Sequence, residues 1–300
     1  MKRNSICLLI AFLFLFTSLL SFAQTISTTV HKEESIITLA GIIKDAESKE
    51  PVAYVSIGIL NKPVGTVSNA EGQYKLAIPS DLVNETLQLS LVGYHTKKIP
   101  LTELRNGTDL NQVIYLTKSN LNLGEVIISA KKLRQKTEGR KAEGGFLTTT
   151  FNQNKQDITA KLGTEIGMKF ESNKYPAFLK DFNWYFSANN FDRIKFRLNI
   201  YSLKNNLPDS LLLNKEIYTE ISDSKTGWNK IDLEPYNLTV NSDFVIALQW
   251  VEHEFTAKEN PKIWIPAALS LSPAMYFRNA SQDQWKKFNG NISYNVTLLY

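Results

Sequence analysis

Residues 65–79 read GTVSNAEGQYKLAIP, and they decide how the first part of this 300-residue chain folds. A polar segment, residues 68–72, separates two short segments in which apolar and polar side chains alternate. Alternation with a period of two is typical of strands that bury one face. Gly72 can adopt the positive φ of a tight turn, whereas Asn69 and Glu71 offer too few oxygens for Ca²⁺. The stretch therefore predicts a turn and not a metal or phosphate site.

Two neighbouring segments continue the alternation. In VAYVSIGIL (52–60) one face carries Ala53, Val55, Ile57 and Ile59, and the other carries Tyr54, Ser56 and Gly58. In ETLQLSLVGY (85–94) the residues Leu87, Leu89 and Leu91 alternate with Gln88 and Ser90. Turn-forming Gly, Pro and Asn residues separate these runs. About seven short strands with one apolar face each predict a small β-sandwich.

These segments resemble the carboxypeptidase-regulatory-like domain, whose fold is a transthyretin-like seven-stranded sandwich. The matching positions are Gly41, Asp45, Pro51, Val55, Gly65, Thr66, Ser68, Asn69, Gly72, Tyr74, Gly93 and Tyr94. The resemblance covers about residues 38–118 and implies a fold but no reaction. The following LNLGEVIISAKK (121–132) resembles the segment after this domain in TonB-dependent outer-membrane receptors and related envelope proteins.

The rest of the chain is also strand-like. Segments such as RIKFRLNIYSL (193–203), DFVIALQWVE (243–252) and ISYNVTLLY (292–300) are rich in aromatic and branched residues. About eight or more such strands fit a jelly-roll-like β-sandwich, and residues 227–250 are diffusely similar to galactose-binding-type jelly rolls.

We therefore expect an all-β chain of two domains. The transthyretin-like seven-stranded sandwich, a carboxypeptidase-regulatory-like domain, would span residues 36–129, and the jelly-roll-like β-sandwich would span residues 146–300. The basic, glycine-containing stretch at residues 130–145 is predicted to be a solvated linker, with recognition of an anionic polymer as the alternative.

The first 23 residues have the pattern of a cleaved secretory signal peptide. Two basic residues precede the apolar run 6–20, and the small residues of SFA precede Gln24. We expect residues 24–35 to form a polar leader. The mature protein would be secreted, and either periplasmic or associated with the outer membrane.

Cleavage would also change the composition. It would remove Cys7, the single cysteine, so no disulfide and no thiolate site are expected. Loss of Lys2 and Arg3 would lower the formal charge from +5 to +3, so charge says little about partners. Because the chain is expected outside the cytoplasm, nucleic acid is not an expected partner.

Signals for catalysis are weak. HKEE (31–34) has the spacing of the H-x-x-E zinc motif of metallocarboxypeptidases, but it lies in the leader without a third ligand nearby. The sequence contains no nucleophile elbow, P-loop or dinucleotide fingerprint. We expect no enzymatic activity, no cofactor and no metal.

The candidate ligand-binding residues are two tryptophans and two glutamates. Trp228, at a strand start, and Trp285, in a polar loop, are predicted to be exposed and able to stack on sugars. Glu252 and Glu254 share one strand face, with His253 opposite. The pair suits a cation or, as a third hypothesis, a hydrolase, although a solvated strand end is the simpler interpretation.

The sequence is therefore compatible with two functions. The first is a non-catalytic adaptor of a Gram-negative envelope that docks on an envelope protein, such as an outer-membrane receptor complex. The alternative is a carbohydrate-binding protein that reads surface polysaccharide through exposed aromatics of the second sandwich. An uncovered edge strand on the first sandwich would favour the adaptor. An aromatic platform beside a concave sheet would favour carbohydrate binding.

Overall fold

The segments with alternating side chains are strands, as the sequence predicts. The computed structural model describes residues 36–105, 112–119, 133–152, 161–172, 174–256 and 260–300. The expected signal peptide and leader lie outside the described residues. Within the described residues, no helix is long and apolar enough to cross a membrane.

Seven strands, a 3₁₀ turn (Ser80–Leu82) and one short helix form the first sandwich. They are β1 (Ile36–Asp45), β2 (Ser56–Ile59), β3 (Gly65–Val67), β4 (Gln73–Pro79), β5 (Thr86–Ser90), β6 (Lys97–Pro100), α1 (Leu101–Arg105) and β7 (Gln112–Leu116). One sheet has the order β4-β1-β7, with β7 parallel to β1, and the other has the order β3-β2-β5-β6. Buried aliphatic side chains such as Val55, Ile57 and Leu76 form one core cluster. This arrangement confirms the seven-stranded sandwich.

The polar segment 68–72 is a turn, but the strands on either side of it belong to different sheets. β3 pairs with β2, whereas β4 pairs with β1. The side-chain oxygen of Asn69 accepts the backbone N–H of Gln73 at 2.7 Å, and Gly72 has a φ of +73°. The turn therefore carries the chain from one layer to the other and does not close a hairpin.

The second sandwich contains fourteen strands within the described residues. They are β8 (Gln135–Gly139), β9 (Leu147–Asn152), β10 (Glu165–Phe170), β11 (Ala177–Phe186), β12 (Ala188–Asn189), β13 (Arg193–Lys204), β14 (Leu207–Leu211), β15 (Ile217–Ser222), β16 (Gly227–Asp232), β17 (Thr239–Val240), β18 (Phe244–Glu254), β19 (Lys262–Arg278), β20 (Lys286–Ile292) and β21 (Tyr294–Leu299), with a 3₁₀ turn at Glu234–Tyr236. The nine-stranded sheet has the central order β12-β19-β10-β18-β13-β14, and β9, β15 and β20 join it. The five-stranded sheet has the order β16-β11-β21-β8, with β17 on β11.

Aromatic side chains fill much of the core of the second sandwich. Phe182 lies edge to face with Tyr294 at 5.1 Å between ring centroids and stacks on Trp184 at 5.6 Å. Phe151 packs against Trp250 at 6.3 Å. All five rings are fully buried, which accounts for the aromatic content of this half of the sequence.

Part of the predicted linker belongs to the second sandwich. β8 pairs antiparallel with β21, from Gln135 opposite Leu299 to Gly139 opposite Asn295. The backbone of Arg134 also exchanges hydrogen bonds with that of Tyr300. The expectation of a solvated linker is therefore wrong for residues 134–139. Their backbone completes the edge of the five-stranded sheet, so the second sandwich begins before residue 146.

Candidate functional site

The two sandwiches meet at a buried polar interface, where β2 covers part of the outer face of β13 and β18. Arg197, on β13, is only 4% exposed. Its guanidinium makes five hydrogen bonds, to the backbone oxygen of Tyr54, to Glu216, to Ser56 and twice to Gln249. A guanidinium has five N–H donors, so none is left for an external ligand. Arg197 is a structural clamp between the sandwiches.

The same interface is closely packed around a glycine. A Cβ atom at Gly58, in β2, would lie well under 3.0 Å from the backbone carbonyl oxygen of Ser281. The next residue, Gln282, accepts a hydrogen bond from Gln88 at 2.6 Å and donates one to Ser90 at 2.7 Å. The loop before β20 therefore docks directly on the outer face of β2 and β5.

A cleft of about 270 Å³ lies beside this interface. Three of its lining residues bind the buried Glu165, which accepts hydrogen bonds from Arg278 and Asn199 at 2.8 Å and from the Tyr201 hydroxyl at 2.9 Å. Trp285 lies over the Arg278 guanidinium at 4.8 Å and edge to face with Tyr201 at 5.5 Å. The structure therefore places Trp285 as a half-buried cover over an ion pair, and not as an open platform.

Glu252 and Glu254 share one face at the end of β18, as predicted, and both bind Arg193. The guanidinium lies 3.1 Å from Glu252 and 2.5 Å from Glu254. Glu252 also accepts a hydrogen bond from the Tyr54 hydroxyl at 2.7 Å. Burial raises the pKa of Glu252, but the hydrogen bonds from Arg193 and Tyr54 outweigh it and lower that pKa to about 2. The two carboxylates converge on one cation and do not face each other across a cleft.

His253 lies on the opposite face of β18, and its burial predicts that the folded protein loses stability in acid. Burial lowers its pKa to about 4, and Arg193 acts in the same direction against the charge of Glu252. The unfolded chain takes up this proton near pH 6.5, so the stability that the neutral imidazole contributes is lost as pH falls from about 6.5 to about 4. We expect His253→Phe to reduce the loss of unfolding free energy between pH 7 and pH 5 by about 1 to 2 kcal/mol.

Urea denaturation at the two pH values measures this difference. Phe suits the site because the imidazole already stacks on Phe255 at 5.5 Å between ring centroids. The matched control is His95→Phe, since His95 is exposed on the first sandwich. Equal pH dependence in wild type and His253→Phe would contradict the prediction.

The outer face of the five-stranded sheet carries a row of short polar side chains. Asp181 on β11 accepts hydrogen bonds from Thr297 and Asn183, both at 2.8 Å, and pairs with Lys230 at 3.1 Å. Asn183 also donates to Asn295 at 3.1 Å. The strand register explains the row, since Asn183 lies opposite Asn295 on one side and Lys230 on the other. These residues line a shallow depression of about 430 Å³.

Trp228, one of the predicted ligand-binding residues, lines the same depression. Its ring meets Tyr185 edge to face at 5.3 Å, and its indole N–H donates to Glu143 at 3.0 Å. The side chain is half exposed and held on two sides. The structure thus brings Trp228 together with Asp181 and Asn183, which are not among the ligand-binding residues predicted from the sequence.

The remaining predicted features do not gather at one site. HKEE (31–34) lies outside the described residues. Among the residues that the structure does describe, no group of three His, Cys, Asp or Glu side chains could hold a metal ion. Trp264, which is not among the tryptophans predicted to be exposed, is 41% exposed. It is the most exposed of the five tryptophans and lies on the other sheet of the second sandwich.

β7 forms an edge of the three-stranded sheet, and no strand of the described chain pairs with its outer side. The Leu116 carbonyl faces β1 and accepts the Ala46 N–H at 2.8 Å, whereas the Tyr115 carbonyl accepts the Lys97 ammonium at 3.0 Å. Backbone groups of successive residues alternate in direction, so those of Val113 and Tyr115 face outward. Their side chains are 41% and 40% exposed. Directly after β7 the backbone of Thr117 and Ser119 bonds that of His95 and Gly93, so the edge ends there. β7 itself therefore offers a short hydrogen-bonding edge, of which Lys97 occupies one carbonyl.

A comparison with family models identifies the first sandwich. The CarboxypepD_reg-like domain matches residues 39–128, which is less than a third of the chain. The chain therefore carries a carboxypeptidase-regulatory-like domain, as the sequence motifs indicate. A comparison with curated proteins finds no match.

A comparison with solved structures finds distant matches. One is the cysteine protease and lectin-like domains of Cwp84, a surface layer associated protein of Clostridium difficile, with 10% identity and a TM-score of 0.39. That match covers 82% of this chain and 58% of the other, so the chain spans little more than half of that structure. A second is clostridial Cwp84 after propeptide cleavage, with 11% identity, coverage of 88% and 70%, and a TM-score of 0.36.

Proposed function

We propose that this chain is a non-catalytic adaptor of a Gram-negative cell envelope, and that it binds an envelope protein by strand addition to β7. The observation that carries this proposal is the outward-facing backbone of Val113 and Tyr115. An extended segment that pairs with such an edge gains main-chain hydrogen bonds, and the exposed side chains give selectivity. Lysines commonly guard sheet edges, and Lys97 guards this one by binding the carbonyl of Tyr115. An incoming strand would displace that exposed ammonium, and the apolar side chains of Val113 and Tyr115 would then contact the partner.

Two features of the sequence support an envelope location: the signal-peptide pattern at the N-terminus, and the segment that resembles the region after this domain in TonB-dependent receptors. Both support secretion to the periplasm or to the outer membrane. The partner would then be an outer-membrane receptor complex or another envelope protein. The clamp of Arg197 and its partners would hold the second sandwich in a fixed position relative to that partner.

In-cell photo-crosslinking tests the adaptor. A photoreactive amino acid at Tyr115 should capture one discrete envelope protein in the native host, because strand addition places the partner backbone about 5 Å away. The matched control position is Thr102, which is exposed on α1 of the same sandwich. Adding Val113→Lys should abolish the capture at Tyr115, since a lysine on the edge opposes pairing.

Two results would contradict the adaptor. One is capture of the same proteins from Tyr115 and from Thr102. The other is capture at Tyr115 that persists when Val113 is lysine. Val113 is already partly exposed, so Val113→Lys should fold normally, and its thermal unfolding checks this directly.

A further inference from the structure

We propose that the outer face of the five-stranded sheet binds a neutral glycan chain through Trp228, Asn183 and Asn295. This site adds a ligand to the proposed protein-binding role and uses a different sandwich from β7. The two proposals can therefore fail separately.

The polar groups of this face are fixed before any ligand arrives. Asp181, Asn295 and Thr297 are each no more than 6% exposed, although they belong to the outer face of the sheet. Asp181 holds Thr297 and Asn183 at 2.8 Å, and Asn183 in turn holds Asn295 at 3.1 Å. Short side chains that are already ordered lose little entropy on binding, so a polar ligand meets a preorganised surface.

Two hydrogen-bonding groups of the row remain available. The hydrogen bonds of these two side chains within the described part of the chain use the NH₂ group of Asn183 and the carbonyl oxygen of Asn295, which leaves the carbonyl oxygen of Asn183 and the NH₂ group of Asn295 for a ligand. Asn295 is 6% exposed, so its free donors lie in the sheet surface and not on a mobile arm. Two neighbouring hydroxyls of a sugar could bind these groups, because each hydroxyl can both donate and accept a hydrogen bond. One hydroxyl would donate to the Asn183 oxygen, and the other would accept from the Asn295 NH₂ group.

Trp228 supplies the apolar part of the site. Its contacts with Tyr185 and Glu143 hold the ring in place while leaving it half exposed. Aromatic rings combine a large apolar face with a polar edge, and C–H groups make weak favourable contacts with that face. A pyranose ring has such a C–H face, and its hydroxyls would then reach the polar row.

The charges favour a neutral ligand. Lys230 is paired with Asp181 at 3.1 Å. Lys141 also lines the depression, and Glu143 lies beside Trp228, so the formal charges around the site cancel. The depression of about 430 Å³ lies within the size range of small-molecule sites, which is about 300–1,000 Å³. Because it is shallow and lies across the strands, it suits a segment of a chain better than an enclosed single sugar.

Affinity electrophoresis of the full chain tests the site. The probes are native gels that contain dextran, mannan, glucomannan or xyloglucan, with alginate as the anionic comparison. We expect retardation by at least one neutral polysaccharide and a loss of at least tenfold in affinity for Trp228→Ala. Asn295→Asp should weaken binding severalfold, because it replaces the free donor by an acceptor of similar shape.

The matched control is Trp264→Ala, which removes an exposed tryptophan from the other sheet and should leave retardation unchanged. Trp228→Phe should retain part of the affinity, which separates loss of stacking from loss of folding. Three results would overturn the proposal: no retardation by any neutral probe, equal loss in Trp264→Ala, or retardation by alginate alone that disappears in salt. Capture at Tyr115 should persist in Trp228→Ala.

Discussion

Replacing Arg197 with methionine should lower the free energy of unfolding by about 3 to 5 kcal/mol. The side chain is fully enclosed between the sandwiches, and its five hydrogen bonds satisfy groups from both of them. Without the guanidinium, Glu216 keeps a charge in a mostly buried position, and Gln249 loses its donors. Breaking a buried pair in this way costs more than the pair contributes, because one charge is left without a partner.

The matched control for this prediction is Arg193→Met, on the same strand and the same face. Arg193 contacts three carboxylates, those of Glu220, Glu252 and Glu254, but its side chain is 21% exposed. Exposed ion pairs contribute about 0 to 1 kcal/mol each, so this variant should lose far less stability. Urea denaturation followed by tryptophan fluorescence measures both. Equal losses would show that Arg197 is not the clamp.

A double variant separates the charge pair from the packing. Arg197→Met combined with Glu216→Gln should lose less stability than the sum of the two single changes, because the second change removes the unpaired carboxylate. A coupling energy of about 1 to 3 kcal/mol is typical of residues in one buried network. Additive losses would mean that the 3.3 Å contact between Arg197 and Glu216 contributes little.

The sequence predicts the strands of both sandwiches better than it predicts which faces are covered. Alternation in residues 52–60 correctly places Val55 and Ile57 in the core. The opposite face, with Ser56 and Gly58, reads as solvated but is buried against the second sandwich. The alternating pattern shows which face of a strand is polar, but it does not show whether that face is exposed. A polar face can be buried when another domain satisfies its hydrogen bonds. The small size of Ser56 and Gly58 was the one local sign of a close approach.

The depression on the five-stranded sheet is likewise not predictable from the alternation of side chains along single strands. Asp181 and Asn183 lie in β11, and Asn295 lies in β21, more than a hundred residues later. Their contact depends on the register between β11 and β21, which includes an irregularity between Leu179 and Asp181. No local pattern encodes that register. Trp228 is predicted to be accessible because it follows Gly227 at a strand start, and the structure leaves its side chain half exposed.

Replacing Gly58 with alanine should separate the two sandwiches. In an ordinary strand this change would stabilise the protein by about 0.5 to 1 kcal/mol, because glycine loses more backbone entropy on folding. Here the added methyl group would overlap the backbone carbonyl of Ser281, which cannot rotate away as a side chain would. Overpacking of this kind costs about 1 to 3 kcal/mol, so the sign of the effect should reverse.

The measurements are the radius of gyration by small-angle X-ray scattering and limited proteolysis of the full chain. Gly58→Ala should give a larger radius and faster cleavage, while the tryptophans of the second sandwich keep their native fluorescence. Gly144→Ala is the matched control, because a Cβ atom there meets no atom within 4 Å. If both variants act by separating the two sandwiches, Gly58→Ala and Arg197→Met should speed up proteolysis in the same way. Unchanged dimensions in Gly58→Ala would instead show that the loop at Ser281 moves aside without disturbing the interface.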